Sequence, residues 1–145
     1  MRWSRPSTRR VDHASPLLSI AVVPRRSTDR NQVVNTGPER LQRQYTGSAG
    51  KIANCQIGVS LSVATRTEHL PVDFELYLPK SWTDDVARRK EARIPDEVVF
   101  KTKPERALDM VRGAVAAGLP LGVVLGDAAY GTSSNFRLEV RRLGL

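Results

Sequence analysis

Residues 119–131, LPLGVVLGDAAYG, restrict the fold of this chain more than any other stretch. Leu121 to Leu125 is an apolar run broken only by Gly122, bounded by Pro120 and Gly126 and followed by a lone Asp127. An apolar run this short, set off by Pro and Gly, reads as a fully covered strand, although periodicity alone does not separate it from a buried helix segment. The segment before it decides for the strand. In TKPERALDMVRGAVAAGLP, Thr102 and Glu105 have capping-box spacing, and Pro104 is tolerated in a first turn, where its missing N–H would be unpaired anyway. Ala107, Leu108, Val111, Ala114 and Val115 trace one apolar face at helical spacing, and Gly118 and Pro120 close the helix. Helix, short turn, apolar strand and acidic tip follow in that order. In open α/β sheets, ligands and chemistry collect at the carboxyl ends of strands, which singles out Asp127. Taken alone, a single Asp after a strand is more often a turn residue bonding nearby backbone N–H groups.

Upstream, Ile57, Val59, Leu61 and Val63 alternate with Gly58, Ser60, Ser62 and Ala64, which is strand periodicity. After TRTEH, Val72, Phe74, Leu76 and Leu78 alternate with Asp73, Glu75 and Tyr77, so the two runs predict an antiparallel hairpin. Asp73 and Glu75 share its polar face and are expected in water. Pro79 ends the second strand. Ser81 can cap a short helix, with Asp84 three positions on, and Asp84–Arg88 and Asp85–Arg89 have i,i+4 spacing. Trp82 reads as a packing anchor for this excursion, which Pro95 breaks. After Gly131, Ser133 or Ser134 can cap a last helix with Phe136, Val140 and Leu143 facing inward. The result is an α/β arrangement matching part of an RNase H-like sheet: an antiparallel hairpin, a helix and a returning strand, with an incomplete core.

The 145 residues suffice for one domain with a modest core. The net charge is +8, and residues 1–50 carry most of it, with nine arginines against three acids. Such an excess favours encounter with a polyanion. Cys55 is the only cysteine, so no intrachain disulfide is available, and it reads as a small buried side chain. No apolar stretch reaches the ~20 residues that cross a bilayer. The opening MRWSRPSTRRVDHASPLLSIAVV imitates a signal peptide, but Pro16 and Pro24 flank its apolar core and no clean cleavage signal follows; a cytoplasmic location is expected. Residues 1–42 are expected to be mostly disordered, Leu17–Val23 being the stretch able to form a strand, with the ordered part beginning near Arg43. His13 and His69 have no partners at metal-ligand spacing.

The segments RQYTGSAGKIANCQIGVSLSVAT, LPVDFELYLPKSWTDD, ARRKEARIP, FKTKPERALDMVRGAVAAGLPLGVVLGDAAYG and NFR together resemble the catalytic domain of DDE-type bacterial insertion-sequence transposases. The resemblance runs from Arg43 to Arg137, some 95 of the 145 residues. It implies an RNase H-like core, three acids (Asp, Asp, Glu) that bind Mg²⁺ or Mn²⁺, cutting at transposon ends and joining of the freed 3′-hydroxyl to target DNA. Asp127 corresponds to the second acid, and so to a metal ligand. The first would lie shortly upstream of RQY in a context like Asp-Asp-Thr-Gly; VVNTGPERLQRQY retains Thr36 and Gly37, but Asn35 stands where an acid would be, and Asp12 and Asp29 lie in unrelated contexts. The third, a Glu, would fall beyond Leu145. Tyr130 would either line the acidic pocket or pack in the core. Arg88, Arg89, Lys90, Lys101 and Lys103 would either touch DNA phosphates or form a solvated face.

Two-metal phosphodiester chemistry needs several converging carboxylates around ions ~3.5–4 Å apart. One aspartate does not supply them. The expectation is therefore a transposase fragment inactive on its own: residues 43–145 a truncated catalytic domain, residues 1–42 unrelated to the family, as out-of-frame translation would give. The alternatives are a non-catalytic module that binds DNA or associates with an intact transposase, or an unstable product without a role. Self-association through an unpaired sheet edge is a further expectation.

Overall fold

The computed structural model describes residues 17–26, 42–46, 50–119 and 122–145. Among them, five strands form one sheet organised on β3 (Lys51–Ala64). One edge of β3 pairs antiparallel with β1 (Leu17–Arg26), from Leu17 opposite Ala64 to Arg26 opposite Cys55. The far edge of β1 pairs parallel with β5 (Val123–Leu125), Leu17 meeting Val123 and Ser19 meeting Leu125. The other edge of β3 carries β4 (His69–Tyr77) in the expected hairpin, and β2 (Gln42–Thr46) pairs with the start of β3. The order β4-β3-β1-β5, antiparallel through β1 and parallel at β5, is that of a partial RNase H-like sheet.

The chain joins β4 to β5 through α1 (Lys80–Thr83), α2 (Val86–Glu91) and α3 (Lys103–Ala116), then ends in α4 (Ala128–Gly131) and α5 (Ser134–Arg142). α3 starts as its sequence predicts: the Thr102 side chain accepts from the Glu105 amide and the Glu105 carboxylate accepts from the Thr102 amide. It ends in a Schellman turn, with Gly118 at φ +73° donating to Val115 and Leu119 donating to Ala114. α5 is capped by Ser133 and ends in the same way at Gly144.

The core is the layer between sheet and helices. Ile20, Val59 and Leu61 from the sheet meet Ala107, Leu108, Met110, Val111 and Ala114 from α3, with Tyr130, Phe136 and Val140 closing it. Each large apolar side chain sealed in this way contributes roughly 1.5–3 kcal/mol. Trp82, Ala92 and Ile94 form a second small cluster with Leu78 and Val98, so Trp82 anchors the excursion as expected.

Three expectations need correction. The ordered part does not begin near Arg43: Leu17–Val23, the stretch able to form a strand, does so and runs on to Arg26, lying between β3 and β5. Ser81 does not cap a helix: Asp85 does, accepting from the Arg88 amide, while Asp84 pairs with Lys80. Glu75 does not simply face water. The register sets Tyr77, Glu75 and Asp73 opposite Ile57, Val59 and Leu61, so these β4 residues share the α3 side of the sheet. The apolar Phe74 falls on the opposite side, over Gly58, and remains largely exposed. Val72 is the extra residue where the register shifts beside Leu61 and Ser62.

Candidate active site

The carboxyl end of β5 runs through Gly126 into Asp127, whose side chain caps α4 by accepting from the Ala129 amide at 2.8 Å. The residue is exposed. An aspartate before a tight helical turn satisfies an amide the helix leaves open, which explains its conformation without reference to chemistry. The sheet explains its place. The parallel pairing of β1 with β5 ends at the Ser19–Leu125 couple, two residues before Asp127.

Tyr130 lies one turn further on, but it points into the core. It is 1% exposed, tilted against Phe136 at 5.9 Å between ring centroids, and packed under Gly126. Its hydroxyl is buried without a hydrogen-bond partner. Burial pushes the phenol up to about 12, and the negative Asp127 adds to the shift. Packing is the role this geometry supports.

The five basic residues do not converge on one surface. Arg88 stands 5.4 Å over the Trp82 ring and pairs with Asp85 at 3.6 Å. Arg89 is a structural clamp, donating to the carbonyls of Thr83, Pro95 and Asp96 at 3.0, 2.7 and 2.9 Å. Lys90 is exposed on α2. Lys101 holds Asp109 at 2.8 Å. Lys103 feels the charge of Asp127: half-buried at the start of α3, its ammonium lies 5.2 Å from the centre of the Tyr77 ring. Burial lowers its pKa, and Asp127 and then Cys55 partly offset that. Burial raises the Cys55 thiol in turn.

Sequence reading missed the seam that holds Lys103. One turn along α3, Arg106 is buried and ion-pairs with Glu75, two residues before Tyr77 on the same side of β4. The signal was present: Lys103 and Arg106 are three residues apart, as are helix neighbours, and Glu75 and Tyr77 are two apart, as are strand neighbours. What it lacked was the register that turns Glu75 toward the helix.

Among the described residues, no group of three or more His, Cys, Asp or Glu side chains is placed to hold a metal ion, and His69 is exposed. One exposed carboxylate, already accepting an amide and coupled to a lysine, is not a donor set for Mg²⁺ or Mn²⁺. These residues do not fit the ion by themselves. Among the described residues, no helix is long and apolar enough to cross a membrane.

Comparison with known proteins places these features in a lineage. A family model described as DDE superfamily endonuclease matches residues 14–145. A probable transposase for insertion sequence element IS701 from Microchaete diplosiphon is 28% identical over 100 residues, which is 69% of this chain and 23% of that protein. The chain thus spans under a quarter of that relative's length. No solved structure matches. The family match begins at residue 14 and so takes in β1, within the segment expected to be unrelated.

Proposed function

Because the chain belongs to the DDE superfamily endonuclease family, we propose that it is a portion of an insertion-sequence transposase catalytic domain, with Asp127 as the second acid of the metal-binding triad and DNA as its partner. The observation that carries the assignment is the parallel pairing of β1 with β5, with Asp127 two residues past the carboxyl end of β5. That is where an RNase H-like site collects its carboxylates. The donor set supports inactivity of this chain alone, since Asp127 is a single exposed carboxylate already accepting the Ala129 amide. Divalent metals serve the family's chemistry, but a lone carboxylate does not hold two of them against a phosphodiester.

A nicking assay on supercoiled DNA with Mg²⁺ or Mn²⁺ tests this reading. The purified chain is expected to leave the DNA intact while binding it in a salt-dependent manner. Nicking that disappears in Asp127→Asn would retain the site and overturn the inactivity; nicking that survives in Asp127→Asn would remove Asp127 from the site.

A second reading, association with an intact transposase or a second copy of the chain, is favoured by β4. This edge strand exposes Leu70 and Phe74 at 65% and 59%, and unpaired strand edges with apolar side chains recruit partners. Sedimentation of the purified chain across a concentration series checks it; a concentration-independent monomer would dismiss self-association.

A further inference from the structure

We propose that Lys103 is a phosphate-positioning residue of this site, holding a DNA backbone phosphodiester at the mouth of the α3–β4 seam beside Asp127. The proposal rests on the DNA-binding reading above and goes further by assigning one cation among five. Three observations carry it.

The first is that three of the other four cations already have partners. Arg89 is spent on three backbone carbonyls, Lys101 on Asp109, and Arg88 on Asp85 and the Trp82 ring. Lys90 is exposed on α2, in the excursion built around Trp82. Lys103 sits over a ring face and, among the described residues, is in no salt bridge, Asp127 acting on it through its charge, so its ammonium keeps donors for a ligand.

The second is an excess of donors in the seam. Behind Lys103, the buried Arg106 guanidinium spends one nitrogen on Glu75, while its Nε and Nη2 have no acceptor. Two cations three residues apart therefore face Glu75 across the same strand, with Asp127 acting on Lys103 and Asp109 on Arg106. Two buried guanidinium nitrogens without acceptors, at a half-dry surface, still favour an anion there.

The third is pre-organisation. Tyr77 is itself braced edge-on by Phe100 at 6.5 Å, so the ammonium of Lys103 lies over a fixed platform. The capping box fixes Thr102 immediately before it. A lysine held in one place loses less freedom on binding than one waving in solvent. Burial lowers its pKa, which a bound phosphate would reverse by favouring the charged form.

The test uses the full chain and a short fluorescent DNA duplex, titrated over a range of salt concentrations. Lys103→Met keeps the apolar stem and removes the charge; it is expected to weaken binding about three- to tenfold and to lower the salt slope by about 0.9, the value of one phosphate contact. Lys103→Arg restores the charge and is expected to recover most of both. Lys103→Met with the affinity and slope of the parent overturns the proposal. So does an equal loss in Lys103→Met and Lys103→Arg, which marks a packing role, or an equal loss in Lys90→Met, which marks a diffuse field. If the parent chain shows no salt-dependent binding, the DNA reading and this inference fall together, whereas the other negative results overturn only the inference.

Discussion

Arg106 and Glu75 form an ion pair whose two ends live in different media: the guanidinium side chain is 4% exposed and the carboxylate side chain 42%. The helix thereby reaches across to an edge strand that its apolar contacts hold poorly. The pair does not satisfy the arginine, since two of its nitrogens have no acceptor. Breaking a sealed pair from one side leaves an uncompensated charge, a cost lessened here because the carboxylate is partly hydrated. Glu75→Gln is expected to lower stability by about 1–2 kcal/mol in urea unfolding. Adding Arg106→Met, of similar stem length and without donors to satisfy, should recover most of that loss; a double variant no more stable than Glu75→Gln alone would contradict this account.

The buried Tyr130 hydroxyl gives an alkaline signature. Its pKa is raised from 10.0 to about 12 in the folded chain, so between those values the unfolded state loses a proton that the native state keeps. Stability is therefore full below pH 10 and falls above it, by about 1.4 kcal/mol per pH unit. Tyr130→Phe removes this dependence and, having no hydrogen bond to lose, should be neutral or slightly stabilising at pH 7. Alkaline unfolding midpoints of the two proteins are the measurement, and coincident midpoints would refute the prediction.

Arg93 occupies a position that the other two Schellman turns give to glycine. It ends α2 with φ +52°, donating to Lys90, while Ile94 donates to Arg89; Gly118 and Gly144 hold the same place after α3 and α5. A side chain there meets the following carbonyl, and glycine does not. Arg93→Gly should raise stability by about 0.5–1 kcal/mol, and Gly118→Ala should lower it by about 1 kcal/mol. Thermal melts of both variants check the pair of signs.

Asp127 has two separable properties, a capping oxygen and a charge. Asp127→Ala loses the bond to the Ala129 amide and is expected to cost about 0.5–1 kcal/mol, at the low end for caps because α4 is a single turn. Asp127→Asn keeps an acceptor and should unfold within about 0.3 kcal/mol of the parent. Chemical denaturation of both variants tests this, and any nucleic-acid effect of Asp127→Asn can then be read as one of charge.

Local signals in the sequence were enough for the elements that depend on neighbours along the chain. Thr102 and Glu105 announced α3, Ser133 announced α5, and the alternation from Ile57 to Val63 announced β3. The family resemblance singled out Asp127, and the apolar run before it placed that residue past a strand tip, where the structure also finds it. What the sequence concealed depends on pairing. Leu17–Arg26 looked orphaned because both of its neighbours, β3 and β5, lie far along the chain. Glu75 looked solvated because alternation says which residues share a face, not which face the partner strand turns toward the helix. Lys103 was named as one of five equals, and its half-buried seat on Tyr77 separates it from the exposed Lys90 and from Arg88, Arg89 and Lys101, whose charges are already committed.

The three-residue junction of β5 with β1 also sets a clock. Leu17 and Val123 must find each other across roughly a hundred residues of chain, whereas β3 and β4 are linked by a short turn closed by Thr65 and Glu68. Hairpin and helix can assemble early, while the parallel junction waits on the slowest search. Until it closes, the acid sits on an undocked tail. A nascent or partly opened molecule therefore has Asp127 away from the sheet and its core open on the side that Tyr130, Phe136 and Val140 close.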